Sequence, residues 1–260
     1  MHNCLQIFSA GVARKLVEQT ITRWNTLHPE LSAELTVAGS VDLIRNYLSG
    51  NSCDLLIVAD DTILDSMMLP EHADGYIVFA GNQLVIAANA GYEIRSDNWK
   101  ETLLAPDATF DHHNPYADPG GYRAVMAMKL ADYVEPGLAD KLLNHPGHYG
   151  MGNDPEILPE IRYSFDYYSR ALARNASIAK LPEVMNLSSD ALAETYAEAT
   201  FQIDDTQTVS GTPIRHALTI PAKTAHAAEA KEFARLFLEN DFEKNGFIPK
   251  HRIVGNSILD

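Results

Sequence analysis

Short apolar runs alternate with longer amphipathic stretches along most of this 260-residue chain. Such alternation predicts an α/β fold with a mostly parallel sheet, because each helix carries the chain back to the start of the next strand. The strands are predicted at Leu5–Phe8, Leu35–Ala38, Asp54–Ala59, Tyr76–Ala80, Gln83–Ala88 and Tyr163–Phe165. The helices are predicted at Val12–Leu27, Val41–Leu48, Thr62–Met68, Asn98–Leu104, Pro119–Tyr133, Gly137–Leu143 and Thr224–Asn240.

The last part of the chain returns to the pattern of the first part. An extended run at Ile214–Pro221 precedes the amphipathic helix Thr224–Asn240, in which apolar residues recur at helical spacing. We therefore predict a discontinuous first lobe from residues 1–80 and 214–260, and an inserted second lobe from residues 81–213. Two lobes joined by two crossovers leave a cleft between them, and small ligands commonly bind in such clefts.

Composition limits the classes of function. The formal net charge is -15, from 35 acidic and 20 basic residues, which argues against a nucleic-acid partner. No apolar run has the length that a transmembrane helix needs, and the first residues are typical of a strand rather than of a signal peptide. Any export signal is therefore expected to be absent from this sequence, and no cofactor is predicted.

The two cysteines, Cys4 and Cys53, each stand at the head of a predicted apolar strand. If these strands are parallel neighbours, the two sulfurs lie near each other, and a disulfide can form in an oxidising compartment. Free buried thiols explain the pattern as well, so both alternatives stay open.

The stretch Asn114–Ala124 joins an acidic residue to the predicted start of a helix. Asp118 is a favoured N-cap residue, Pro119 suits the first helical position, and the two following glycines let a ligand approach the backbone. A helix N-terminus suits an anion, which a carboxylate repels unless it bonds an electrophilic centre. An isolated Asp-Pro-Gly is also typical of an ordinary capped helix.

Two strand-to-helix turns are the other candidates for an anion site. Gly11 and Val12 follow the first predicted strand, and Gly39 and Ser40 follow the second. In a parallel sheet both turns lie at the carboxyl ends of their strands and direct N–H groups to one crevice. Ser40 adds a hydroxyl donor, although by itself it is also typical of an N-cap. Tyr168 is a further candidate to contact a ligand.

A series of stretches, in order over nearly the whole chain, resembles the molybdate/tungstate-binding proteins of ABC importers, in particular their archaeal-type branch. The matching stretches are Phe8–Gly11, Ala38–Val41, Met67–Pro70, His72–Asp74, Phe79–Ala87, Asn114–Ala124, Leu181–Leu187, Gly211–Ile214, Leu218–Pro221 and Glu243–Pro249. The resemblance implies the type II periplasmic-binding-protein fold, in which two α/β lobes close on an oxyanion and the protein docks on a membrane permease.

The resemblance also implies roles for individual residues. In that branch an Asp and a Glu reach the metal itself, since Mo(VI) and W(VI) accept further oxygen ligands. Asp118 matches the first of these ligands and Asp166, in Tyr163–Ser169, matches the position of the second. Ser40 matches a serine that donates to the oxyanion.

Four departures from the family pattern concern the site. Val12 stands where the family has a serine, so a hydroxyl donor is lost, although the backbone N–H remains. Asp166 is one methylene shorter than Glu, and Gly120 replaces a cysteine, a change expected to matter little. The Pro-rich segment 153–160 is unlike the family's helix there.

The resemblance predicts a monomeric, non-catalytic solute-binding protein that captures molybdate or tungstate outside the cytoplasm and delivers it to an ABC permease. Val12 and Asp166 keep a second hypothesis open, in which the scaffold binds an organic anion or a cation instead. A cytoplasmic oxyanion sensor is a third hypothesis. A metal-dependent enzyme using Asp118, Asp166 and His113 is a fourth, from a different functional class.

Overall fold

The computed structural model describes residues 4–150 and 160–259, so the Pro-rich segment noted above lies almost wholly outside it. The strands are β1 (Cys4–Ala10), β2 (Ser32–Ala38), β3 (Leu55–Val58), β4 (Gly75–Gly81), β5 (Leu84–Ala88), β6 (Phe110–Asp111), β7 (His148–Tyr149), β8 (Tyr163–Tyr167), β9 (Ile178–Lys180), β10 (Thr200–Gln202), β11 (Thr208–Ser210), β12 (Arg215–Thr219) and β13 (Ile248–Gly255). The helices are α1 (Arg14–Leu27), α2 (Ser40–Leu48), α3 (Thr62–Met67), α4 (Trp99–Leu103), α5 (Pro119–Lys129), α6 (Leu138–Leu143), α7 (Tyr168–Ala173), α8 (Glu183–Asn186), α9 (Ala193–Ala197) and α10 (Ala227–Leu238). Short 3-10 turns lie at Gly11–Ala13, Leu130–Tyr133 and Asp190–Leu192.

The chain divides into two compact units. The first contains residues 4–81, 215–244 and 248–259, so it is built from both ends of the described chain. The second contains the described residues of Asn82–Ile214 together with Asn245–Phe247.

The first unit is a six-stranded sheet in the order β13-β4-β12-β3-β1-β2 with helices packed on it. Residues of α1 at helical spacing, among them Val17 and Trp24, are fully buried, and the Trp24 ring contacts Phe233 of α10. A separate cluster around Phe8, Leu43 and Leu56 packs α2 and α3 against the sheet. The apolar faces of these helices therefore form the core of this unit, as the 3.6-residue period predicts.

The prediction of a mostly parallel sheet is wrong. The pairs β1/β2 and β1/β3 are parallel, but β12 runs antiparallel to both β3 and β4, and β13 runs antiparallel to β4. The physical reason is the return of the chain: β12 comes back from the second unit, lies between β3 and β4, and pairs with both in the opposite direction. The sheet is mixed.

The second unit contains a five-stranded mixed sheet in the order β7-β6-β8-β5-β9 and the hairpin of β10 with β11. Its central helix, α5, is buried at every position from Pro119 to Met128. Among the described residues, no helix combines the length and the apolar character that crossing a membrane requires.

Both cysteines are free thiols. Cys53 lies in the core cluster with Phe8 and Leu56 and is 2 % exposed, whereas Cys4 borders a pocket and is 9 % exposed. Burial raises the pKa of the Cys53 thiol, so the thiolate that reacts with disulfide reagents is scarce at neutral pH.

We expect both thiols to react only slowly in the folded protein, with Cys53 the slower of the two, and rapidly after unfolding. Titration with 5,5′-dithiobis(2-nitrobenzoate), without reductant, measures this in buffer and in guanidinium chloride. A Cys53→Ser variant assigns the phases. If neither cysteine reacts in denaturant, the two cysteines form a disulfide.

Candidate functional site

In the first unit, the two predicted anion-binding turns lie side by side. The strands β1 and β2 pair in parallel to their last residues, with Ala10 opposite Ala38. The chain then enters the 3-10 turn at Gly11 from one strand and α2 at Ser40 from the other. The first N–H groups of a helix have no acceptor within it, so this edge of the sheet carries several N–H donors. The predicted juxtaposition of the two turns is confirmed.

Ser40 is the first residue of α2, and Gly39 rather than Ser40 is the N-cap. The Ser40 side chain is fully buried, and its Oγ accepts a 2.9 Å hydrogen bond from the N–H of Ala59, the residue after β3. The hydroxyl therefore ties α2 to the end of the neighbouring strand. Its own proton is still available to an acceptor, and the role of Ser40 as a donor to an oxyanion stays a prediction.

Val12 lies in the 3-10 turn between β1 and α1 and is 8 % exposed. Its isopropyl group cannot donate a hydrogen bond, so the donors at this turn are backbone N–H groups, among them those of Gly11 and Val12. A serine here would add a hydroxyl at the same place.

In the second unit, Asp118 is the N-cap of α5. Its backbone is extended, and its Oδ1 accepts a 2.7 Å hydrogen bond from the N–H of Gly120. Pro119 occupies the first helical position, and the preceding loop is held by the bond from the Asp118 N–H to the carbonyl oxygen of Asn114. Among the described residues Oδ2 of Asp118 has no hydrogen-bond partner, so one carboxylate oxygen at this helix end is left for a ligand.

The two glycines after Pro119 have different surroundings. A Cβ on Gly121 would lie 2.2 Å from the carbonyl oxygen of His113 and 2.6 Å from the nitrogen of Pro115, both backbone atoms of the loop before α5. A Cβ on Gly120 would meet only side chains, the nearest being Oδ1 of Asp118 at 3.1 Å. A side chain at Gly120 therefore requires smaller shifts than one at Gly121.

We expect Gly121→Ala to destabilise the protein by about 3 kcal/mol, because the loop before α5 must move to admit the methyl group. Gly120→Ala is the matched control and should stay within about 1 kcal/mol of the original chain, since the better helix propensity of alanine opposes a tight contact. Urea unfolding followed by tryptophan fluorescence measures both. Equal stability of the two variants would contradict the assignment.

Asp166 lies on β8 opposite Val85, and its side chain is 3 % exposed. Oδ1 accepts a 2.8 Å hydrogen bond from the N–H of Tyr167 and lies 3.5 Å from Nε of Arg170. Oδ2 accepts a 2.8 Å bond from Nη2 of Arg174. Both carboxylate oxygens are therefore engaged within the second unit.

Asp166 borders a polar pocket of about 240 Å³ in the second unit. The pocket is lined by Asn89, Asp111, His112, His113, Ser164, Phe165, Asp166, Arg170 and Arg174. Nη1 of Arg170 donates to Nε2 of His113 at 2.6 Å, which requires the lone pair of neutral imidazole at that nitrogen. Burial raises the pKa of the Asp111 carboxyl, and a hydrogen bond from Ser164 acts in the opposite direction.

Sequence reasoning missed Arg170 and Arg174 as partners of Asp166. The sequence did contain a signal for this pairing. Asp166, Arg170 and Arg174 follow one another at intervals of four residues, at the point where a strand is followed by a helix. Tyr168, predicted to contact the ligand, is the first residue of α7; its N–H donates to the carbonyl of Gln83 and its ring lies 6.0 Å from Nζ of Lys180.

Arg123 is 1 % exposed, so its side chain lies in the interior of the second unit and not at the surface. It lies on the fully buried α5, and its Nη1 donates to the hydroxyl of Tyr167 at 3.3 Å. The guanidinium thus links α5 to β8.

His112 is a buried neutral histidine at the rim of the pocket. Its Nδ1–H donates to the carbonyl of His113 at 2.7 Å, while its Nε2 has no hydrogen-bond partner in the described part of the chain. Gly150 packs so closely on the ring that a Cβ there would lie 2.5 Å from Nε2. Burial lowers the pKa of His112 to about 4, and burial also lowers the pKa of the neighbouring His148.

His112 has a lower pKa in the folded protein than in the unfolded chain. The contribution of this residue to the free energy of unfolding is therefore fully present above pH 6.5 and is lost as the pH falls toward 4. The expected loss from this group is roughly 3 kcal/mol over that window. Urea unfolding at pH 7.5 and 4.5 measures it in the original chain and in His112→Asn, with the exposed His251→Asn as control. The same loss in His112→Asn would refute this origin.

Among residues 4–150 and 160–259, no group of three or more His, Cys, Asp or Glu side chains is arranged to hold a metal ion. The two candidate regions are thus an edge of N–H donors in the first unit and, in the second, a capped helix end and an arginine-bound aspartate.

Comparisons with known proteins identify the family. Residues 5–247 match the model of the bacterial extracellular solute-binding proteins. The chain belongs to this family. An uncharacterized solute-binding protein of Petrotoga mobilis is 32% identical over 250 residues, which cover 89% of this chain and 78% of the relative. These proteins bind solutes for transport, which confirms the expectation that the chain is not an enzyme.

Two further similarities confirm the predicted resemblance and fold class. The molybdate/tungstate-binding protein WtpA of Pyrococcus abyssi is 28% identical over 250 residues, covering 83% of this chain and 72% of that protein. The periplasmic molybdate-binding protein of Azotobacter vinelandii has a similar structure, with a TM-score of 0.67 over 95% of this chain and 99% of that one. At 14% identity the latter similarity establishes only the fold.

Proposed function

We propose that this chain binds molybdate or tungstate and delivers it to an ABC importer. The observation that carries the proposal is the similarity over 83% of the chain to a protein named for binding these two anions. The ordered sequence stretches of the same family, including the Asp-Pro-Gly-Gly turn at Asp118, support it.

The arrangement in the first unit is suited to a tetrahedral anion. Backbone N–H groups of Gly11 and Val12 and the hydroxyl of Ser40 lie at neighbouring strand ends, where fixed dipoles attract negative charge without a cationic side chain. In the second unit, we propose that Oδ2 of Asp118 binds the metal centre of the anion and that Tyr168 also contacts the anion.

The family description also supports a location outside the cytoplasm. We propose that the chain acts there as a monomer, in the periplasm or its equivalent, with a membrane permease as its partner. A second candidate function is the binding of another anion on the same scaffold. Val12 favours it, because the turn after β1 lacks the hydroxyl donor of the family pattern.

Isothermal titration calorimetry with molybdate, tungstate, sulfate and phosphate tests the proposal. We expect saturable binding of molybdate and tungstate, because their centres accept an added oxygen ligand and sulfate and phosphate do so poorly. Binding of none of the four anions would reject the proposal, and binding of sulfate or phosphate alone would favour the second candidate.

The turn at Val12 provides a gain-of-function test. A hydrogen bond to a charged partner contributes about 1.5–3 kcal/mol, so Val12→Ser should bind molybdate roughly tenfold to a hundredfold more tightly. Val12→Ala is the matched control, since it changes the side-chain volume without adding a donor. Equal affinities of the serine and alanine variants would contradict a role for this turn in binding.

A further inference from the structure

We propose that Asp166 is the internal counter-ion of Arg170 and Arg174 and does not bind the metal of the transported anion. This inference rests on the proposed function and deepens it. A bound molybdate then gains no more than one carboxylate from this chain, that of Asp118, and its metal centre stays below six oxygen ligands.

The contacts of Asp166 carry this inference. Both of its oxygens are engaged, Oδ1 by the Tyr167 N–H and the Arg170 guanidinium, and Oδ2 by Arg174 at 2.8 Å. The carboxylate is 3 % exposed, whereas the side chains of Arg170 and Arg174 are 28 % and 43 % exposed. The arginines are therefore the solvent-facing partners and shield the carboxylate from solvent.

Helix α7 holds this arrangement in place. Arg170 lies within the helix and Arg174 is its C-cap residue, so both guanidinium groups are presented to the end of β8 by one rigid element. A metal at Asp166 would have to compete with both arginines and with the Tyr167 N–H for the two carboxylate oxygens. Charge-assisted hydrogen bonds are the strong ones, and a short side chain cannot keep them while reaching elsewhere.

Asp118 differs from Asp166 in this respect. Only its Oδ1 has a hydrogen-bond partner in the described chain, the N–H of Gly120, and the residue is partly exposed at the start of α5. One oxygen can therefore bind a metal without breaking the cap. The structure assigns different tasks to two carboxylates that the sequence motif treats as a pair.

The number of carboxylate ligands affects how well the site discriminates between molybdate and sulfate. Sulfur and phosphorus do not readily accept extra oxygen ligands, so a site that supplies two carboxylates rejects sulfate by chemistry, whereas a site that supplies one relies more on size and hydrogen bonding. We expect sulfate to compete with molybdate more effectively here than at a site with two carboxylate ligands.

Mo K-edge X-ray absorption of the molybdate-loaded protein tests the inference directly. A strong pre-edge feature with short oxo distances is expected, as for a centre with four or five oxygen ligands. A weak pre-edge feature with six oxygens would overturn it while leaving the proposed function intact. Failure to bind any molybdate would reject the proposed function itself, so the two failures are distinguishable.

Variants give a second readout. Asp166→Asn should leave the Mo spectrum unchanged, while Asp118→Asn should weaken binding roughly tenfold or more by removing a charged ligand. Loss of affinity by Asp166→Asn as large as that of Asp118→Asn, at an unchanged melting temperature, would overturn the inference. If Asp166→Asn does not fold, the spectrum of the original chain still decides.

The arginines offer the converse experiment. Replacing both Arg170 and Arg174 by Gln frees the carboxylate, so the spectrum is expected to move toward six oxygens or the affinity to change. Arg162→Gln is the control, because Arg162 pairs with Asp107 on the surface of the same unit. A double variant indistinguishable from Arg162→Gln in spectrum and affinity would count against the counter-ion role.

Discussion

Parallel pairing of β1 with β2 on one side and β3 on the other is the constraint on which the first unit depends. Because the strands run in the same direction, all three end at one edge, and the segments after Ala10 and Ala38 begin at the same level. The N–H groups of two helix starts are brought together by the backbone alone. The Ser40 hydroxyl then connects α2 to the chain after β3.

An anion site of this kind does not depend on the overall charge of the protein. The chain carries a formal charge of -15, but charges more than about 8–10 Å away are screened at physiological salt. Fixed N–H dipoles at close range act within that distance. A backbone site also tolerates sequence change, because a substitution such as serine to valine at position 12 removes one donor and leaves the N–H groups in place.

Much of the fold was predictable, and the misses have physical causes. Long helices such as α1 and α10 bury one face and therefore carry a periodic signal. The two-residue strands β6 and β7 are too short for any period, and they form only because β8 is there to pair with them or with their neighbour. The edge strand β13 is partly exposed and contains Pro249, so neither alternation nor β-propensity marks it.

The antiparallel strand β12 shows a different limit of sequence reasoning. Its apolar run is as readable as that of β3, but the run does not encode direction. Direction comes from where the chain re-enters the sheet, which is a property of the whole topology. The same holds for Arg123, whose burial follows from the position of α5 in the interior of the second unit and not from its neighbours in sequence.

The role of a site residue was predictable from the sequence where that role depends only on residues next to it in the chain. The cap at Asp118 needs only an aspartate, a proline and two small residues in sequence, so the local motif is sufficient. Asp166 acts through side chains on the next element, and its motif position says nothing about them. A carboxylate whose oxygens are paired with two arginines is less available to a metal than a carboxylate that faces solvent. When a family motif is transferred to a new chain, the residues one and two helical turns beyond it decide whether the transferred role can be performed.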